Sequence, residues 1–228
     1  MPQPRTALLL FYALYTGIVN AASLPSGFVY LDNVVPAIVL DIRYANTDNF
    51  VGTPIDGYVK PVAITTSETV AALKNVQTDL QRFGLGLKVF DAYRPQRAVD
   101  HFVRWAKDWR DTRMQSEYYP HIVKQDLFQE DYIAAKSGHS RGSTVDVTLI
   151  YVEANRLAHE LDMGTRFDFF DLRSWPEYPD LTAAQRASRM LLQSVMEKHG
   201  FKPYPKEWWH FTLKQESYPD TYFNFNVD

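Results

Sequence analysis

The stretch Ser137-Gly138-His139-Ser140-Arg141-Gly142-Ser143-Thr144-Val145-Asp146-Val147-Thr148-Leu149-Ile150-Tyr151-Val152 changes character halfway along. Its first half has glycines at 138 and 142 among polar residues, the composition of a bend. From Thr144 onward it is β-branched and apolar, which reads as a buried strand over Thr144–Val152. Asp146 lies inside that strand, among Val145, Val147, Leu149 and Ile150. A carboxylate in a buried apolar strand is costly unless it is paired or bound to a metal. His139 stands on the loop that enters the strand, so both side chains can face one site.

Working outward, Ala37–Tyr44 reads as a strand. Ser67–Phe83 reads as a helix: Ser67 can cap it, Val70, Leu73, Val76, Leu80 and Phe83 form one apolar stripe, and Gly84 stops it. Leu85–Tyr93 follows as a strand. Pro95 opens a second helix carrying Val99, Phe102, Trp105 and Trp109 on one face. Asp111–Ala135 is polar and aromatic-rich and reads as partly helical. Thr182–His199 is a third long helix ending at Gly200, and Trp208–Leu213 is a last strand. Strict strand–helix alternation is missing. The expectation is one α+β domain, a small mainly antiparallel sheet flanked by helices.

The chain has 228 residues, 46% hydrophobic and 22% charged, which excludes a wholly disordered chain. A formal charge of −3 without a block of like charges gives no footprint for nucleic acid. There is no cysteine, so thiol nucleophiles, disulfides and Cys-ligated metals are excluded, and any metal must be held by His and carboxylates. Residues 1–21 read as a signal peptide: Arg5 in a short basic region, an apolar run Ala7–Val19 too short to span a bilayer, and small residues before Ala22. Cleavage before Ala22 leaves residues 22–228, exported to the periplasm or beyond and not membrane-bound. Nothing in the sequence specifies an oligomeric state.

Two further segments carry chemistry. Glu207-Trp208-Trp209-His210 places a histidine three residues after an acid in an aromatic, strand-like setting. A lone histidine is usually a core or surface residue, but His210 beside His139 and Asp146 completes a three-ligand set of the kind catalytic zinc sites use. Glu207 is then placed to act as general base on a metal-activated water and as acid toward the leaving amine; a surface ion pair is the plainer alternative. Asp91-Ala92-Tyr93-Arg94-Pro95 puts Arg94 at a strand-to-helix turn, where it can hold an oxyanion or simply sit on the surface. His101, His121, His159 and His199 lack such a setting and read as structural or solvent-facing. Of Trp208 and Trp209, one is expected in the core and one on the pocket wall.

As a set, these segments resemble the D-alanyl-D-alanine dipeptidases of the VanX type, within the zinc D,D-peptidases related to the Hedgehog signalling domain. Ser137–Asp146 matches Ser-x-His-Ser-Arg-Gly-x-x-x-Asp, Glu207–His210 matches Glu-x-x-His, and Asp91–Pro95 matches Asp-x-Tyr-Arg-Pro. Asp41–Phe50 and Asp162–Asp168 also look like the family. The resemblance implies that His139, Asp146 and His210 bind one Zn2+. It implies Glu207 as general base and acid, and Arg94 as transition-state stabiliser. Asp168 would receive the ammonium group of D-Ala-D-Ala, while Tyr44, Asp91 and Ser137 would line or support the substrate pocket. The implied reaction is hydrolysis of D-Ala-D-Ala to two D-alanines. The alternatives are a zinc D,D-carboxypeptidase acting on longer peptidoglycan peptides and a non-catalytic zinc module that binds cell wall. Asp168 separates the first two, because a longer chain would leave its charge facing an amide.

Overall fold

The computed structural model describes residues 24–152 and 159–228. The segment read as a signal peptide, residues 1–21, and its cleavage point before Ala22 lie outside the described residues. Among the described residues no helix is long and apolar enough to cross a membrane.

The elements in chain order are β1 (Phe28–Tyr30), α1 (Leu31–Val34), β2 (Val39–Leu40), β3 (Ile64–Thr66), α2 (Ser67–Gln81), β4 (Leu85–Asp91), α3 (Gln96–Lys107), α4 (Gln115–Tyr118), β5 (Thr144–Tyr151), α5 (Ala183–Lys198), β6 (Phe201–Tyr204) and β7 (Glu207–Leu213). Five strands form one sheet in the order β2-β4-β5-β7-β6, and β1 pairs with β3 in a separate two-stranded ribbon. Only the β2–β4 pair is parallel; β4–β5, β5–β7 and β6–β7 are antiparallel. The architecture is the expected single α+β domain.

β5 sits at the centre because its residues Thr144–Ile150 are buried on both faces. α2 buries Val70, Leu73, Val76 and Leu80, spaced to form one stripe, and contacts β4 and α5. α5 lies against β6 and starts at a capping box in which Thr182 and Gln185 satisfy each other's backbone N–H groups.

Several expected boundaries move. The strand read over Ala37–Tyr44 is only Val39–Leu40, because Arg43–Ala45 turns as a 3-10 helix and swings Tyr44 inward. The first long helix ends at Gln81 and the chain turns through Gly84 at φ +69. The helical period therefore no longer places Phe83, which is 76% exposed and not part of the stripe. Ser67 does not cap; Thr66 is the N-cap residue, and the Ser67 hydroxyl donates to the Gly27 carbonyl. α3 stops at Lys107, so Trp109 leaves the buried face and is 58% exposed. The strand after Gly84 ends at Asp91 and the last strand already begins at Glu207. Asp111–Ala135 contains α4 and a single 3-10 turn, Lys124–Asp126.

Candidate active site

The sheet builds the site as a row across three neighbouring strands. Asp91 of β4 is opposite Asp146 of β5, and Asp146 is opposite His210 of β7. The row depends on a register shift between Val89 and Asp91. Without that extra residue Phe90 would face Asp146, since a one-residue slip exchanges the two faces of a strand.

His139 enters from the 3-10 turn Gly138–Arg141 that leads into β5. Its backbone N–H donates to the Ser137 hydroxyl, 3.3 Å away. Gly142 ends the turn at φ +82, where a Cβ would collide with the Phe28 ring, and its carbonyl accepts from the Thr65 hydroxyl and the Thr66 N–H. Only glycine satisfies both demands. The His139 Nδ1 lies 2.7 Å from the Ala92 carbonyl oxygen. A carbonyl can only accept, so Nδ1 carries the proton and Nε2 presents a lone pair.

That Nε2 is 3.3 Å from Asp146 Oδ1 and 3.3 Å from His210 Nδ1, and His210 Nδ1 is 3.1 Å from the same Asp146 oxygen. Asp146 Oδ1 is buried and receives no well-formed hydrogen bond. One ligand atom from each of the three residues falls within 4.8 Å of the others. Lone pairs this close, with an unsatisfied carboxylate oxygen between them, repel each other unless a cation joins them. The set of two imidazoles and one carboxylate therefore fits a divalent metal with an open position for water or substrate. Burial pushes the His139 imidazole below its usual range. For His210 burial acts in the same direction, but the adjacent Asp146 carboxylate outweighs it and raises the group.

Glu207 Oε2 lies 3.5 Å from His210 Nδ1, at the edge of this cluster. Burial raises its carboxyl to about 7, against the opposing charge of His210. Arg94 Nε donates to Asp91 Oδ2 at 2.9 Å, and Nη2 reaches Asp146 Oδ2 at 3.4 Å. Its guanidinium lies over the Tyr44 and Phe102 rings, with centroid distances of 4.9 and 5.2 Å. Burial works against the charge, yet the surrounding acidic groups hold Arg94 firmly protonated.

Asp168 approaches from the loop before α5 and is buried. It adopts φ +58, unusual for a residue with a side chain. Its loop is clamped by buried Arg189, which donates to the Met163, Trp175 and Arg173 carbonyls at 2.6–2.7 Å. Phe167 stacks on Phe90 and meets Trp209 edge-on. The Tyr44 hydroxyl donates to Asp168 Oδ2 at 2.8 Å. Burial and the nearby Asp146 charge push the Asp168 carboxyl well above the usual carboxylate range.

Tyr44, Arg94, Ser137, Asp146, Asp168, Glu207 and His210 all line one cavity of about 220 Å³. Asp91, expected among the substrate-binding residues, does not reach the cavity. It is fully buried, with Oδ1 taken by the Tyr58 hydroxyl at 2.6 Å and Oδ2 by Arg94, so its place is behind Arg94 as a support. Trp209 lines the cavity, while Trp208 packs inside and donates from Nε1 to the Thr165 hydroxyl. His101, His121 and His199 pair with Asp56, Asp171 and Asp79 away from the cavity, and His159 also stays outside it. Sequence reading missed Tyr58 and Arg189; each is one common residue type in an unremarkable stretch, and only the fold brings it to its partner. It also missed Tyr132, Phe170 and Tyr204 on the cavity wall.

Known proteins match this chain over nearly its whole described length. The family model for D-ala-D-ala dipeptidases, Peptidase_M15, matches residues 25–228. A D-alanyl-D-alanine dipeptidase of Streptomyces coelicolor is 43% identical over 200 residues, covering 88% of this chain and 98% of that protein. One of Enterococcus faecalis is 42% identical over 202 residues, covering 89% and 98%. A solved structure of a vancomycin-resistance D,D-pentapeptidase, VanY, overlaps 67% of this chain and 74% of that one at 13% identity and a TM-score of 0.40, too weak a likeness to bear on the fold or the chemistry. With a family match spanning residues 25–228 and relatives above 40% identity along almost their full length, the chain belongs to the Peptidase_M15 family of D-Ala-D-Ala dipeptidases.

Proposed function

We propose that this protein is a zinc-dependent dipeptidase that hydrolyses D-Ala-D-Ala to two D-alanines. The observation that carries the reading is that one cavity joins the His139–Asp146–His210 cluster to a raised carboxyl, a fixed guanidinium and a second buried carboxylate. His139, Asp146 and His210 hold the metal, which when bound supplies Lewis acidity and a more acidic water. Glu207 takes a proton from the attacking water as its oxygen bonds to the peptide carbonyl carbon. The carbon–nitrogen bond then breaks, and Glu207 returns the proton to the leaving amine. Arg94 donates to the oxyanion of the tetrahedral intermediate, and its ties to Asp91 and Asp146 fix it before substrate arrives.

Asp168, oriented by Tyr44, receives the substrate's ammonium group, and Ser137 faces the same cavity. A free amine on the same residue as the scissile carbonyl belongs to a dipeptide. The cavity volume, below the ~300–1,000 Å³ of sites for drug-sized ligands, favours the same small substrate over a longer peptide. The deciding experiment is hydrolysis of D-Ala-D-Ala beside its N-acetylated form and a tripeptide, with zinc content measured on the same sample. Cleavage of the free dipeptide alone, by protein carrying one zinc, is expected; equal cleavage of the tripeptide would replace the dipeptidase with a D,D-carboxypeptidase.

Export belongs to the same proposal and is supported by the basic start, apolar run and small residues of positions 1–21. The mature protein is expected to begin near Ala22 in the periplasm or medium, where scavenging D-alanine from wall turnover suits it. Native protein retaining residues 1–21 in the cytosol would refute this.

A further inference from the structure

The segment Tyr222–Asp228, which follows the last strand, borders the backbone on both sides of Arg94 and the turn that carries Tyr58. It lies outside the sheet, yet the Phe223 N–H donates to the Ser140 carbonyl at 2.8 Å, next to His139, and the Phe223 carbonyl accepts the Gln96 N–H at 3.0 Å, just past Arg94. Phe225 stacks on Tyr93 with centroids 4.0 Å apart, and its carbonyl accepts the Tyr93 hydroxyl at 3.1 Å. Arg97 grips the segment from the first turn of α3, donating to the Asn224 side chain and carbonyl and to the Asn226 amide oxygen at 2.9 Å.

The segment then reaches the other support of Arg94. The Val227 carbonyl accepts the Val59 and Lys60 N–H groups at 2.8 and 3.0 Å, and the Val227 N–H donates to the Gly57 carbonyl. These bonds hold the turn that carries Tyr58. The Tyr58 hydroxyl donates to Asp91 Oδ1, and Asp91 Oδ2 accepts Arg94 Nε. Two routes thus converge on one guanidinium: through Tyr93 and Gln96 to its backbone, and through Tyr58 and Asp91 to its side chain.

We propose that the 224–228 segment and Tyr58 are positioning elements for Arg94, so that the oxyanion site exists only when the segment is seated. The inference rests on the role given to Arg94 above. Binding of the ground-state dipeptide, which uses Asp168 and the metal ligands, does not depend on it. A displacement of the guanidinium by about 1 Å can cost ~10²-fold in rate, and the loss falls on interactions made in the transition state.

The test uses the full chain, Tyr58→Phe, Arg97→Ala, and a chain ending at Phe223, each alone and with Arg94→Ala. Zinc content, kcat, KM and the affinity for a phosphinate analogue of the tetrahedral intermediate are measured. Each single variant should keep zinc and KM within about twofold, while kcat and phosphinate affinity fall together by ~10–100-fold. In the Arg94→Ala background the same changes should cost nothing further. Full additivity there, or unchanged kcat in both Tyr58→Phe and Arg97→Ala, overturns the proposal. If the shortened chain fails to fold, those two substitutions decide it. An Arg94→Ala protein with normal kcat would instead refute the oxyanion role itself, a separate outcome.

Discussion

Replacing Asp168 by Asn keeps its shape and removes its charge, and it isolates how the enzyme tells a dipeptide from a longer chain. The side chain is buried, and its Oδ2 already accepts the Tyr44 hydroxyl. An ammonium about 3 Å from the carboxylate would gain ~5 kcal/mol of Coulomb energy at an effective dielectric of 20. Desolvation of both groups takes back part of this, leaving the ~1.5–3 kcal/mol typical of hydrogen bonds to charged groups. KM for D-Ala-D-Ala should therefore rise by about 10- to 150-fold, with kcat changed far less, because the contact is made equally in ground and transition states. The parent should also bind more weakly as pH falls, since the raised Asp168 carboxyl takes up a proton and loses its attraction for the ammonium. A carboxyl raised above its unfolded value costs stability at pH 7, so Asp168→Asn should melt at or above the parent temperature. Steady-state kinetics with free and N-acetylated dipeptide, beside thermal melts, give all three readings. An unchanged KM, or a parent that cleaves the acetylated dipeptide as well as the free one, would remove Asp168 from substrate recognition.

Glu207→Gln should retain zinc and the fold while kcat falls by ~10²–10⁴-fold; near-normal turnover with zinc bound would require another base. His139→Ala, Asp146→Ala and His210→Ala should each lose stoichiometric zinc and activity together, and full occupancy with full turnover in any one would exclude that residue as a ligand. Lys198 and then His199 hold the Asp79 carboxyl down at about 2, tying α2 to the end of α5. Its contribution to stability is present above the unfolded value near 3.8 and is lost as pH falls toward 2. Asp79→Asn should therefore lower the melting temperature at pH 7 and by much less near pH 2, where the carboxyl is about half protonated; an offset as large at pH 2 as at pH 7 would mean the pair is not its cause.

Local sequence was enough for whatever depends on local periodicity. The apolar stripe of α2, the start of α5 at Thr182 and the buried run of β5 are each set by residues within a few positions of one another. The same holds for the chemistry of the site: a carboxylate inside an apolar strand, a histidine on the bend before it and a Glu-x-x-His can be read without a fold, and the structure brings all four residues together. Where the helices stop, periodicity stops too, and Phe83 and Trp109 turn out to solvent. What tertiary structure alone decided is cross-strand register and long-range support. The extra residue in β4 that sets Asp91 opposite Asp146, the left-handed backbone of Asp168 with its Tyr44 bond, and the link from the 224–228 segment through Tyr58 to Arg94 all depend on contacts between distant positions, from 33 residues apart for Tyr58 and Asp91 to 132 for Tyr93 and Phe225 and beyond for Val227 and Gly57. Such contacts are chosen by the packing of the whole sheet and its loops, whose energetics no short window of sequence contains.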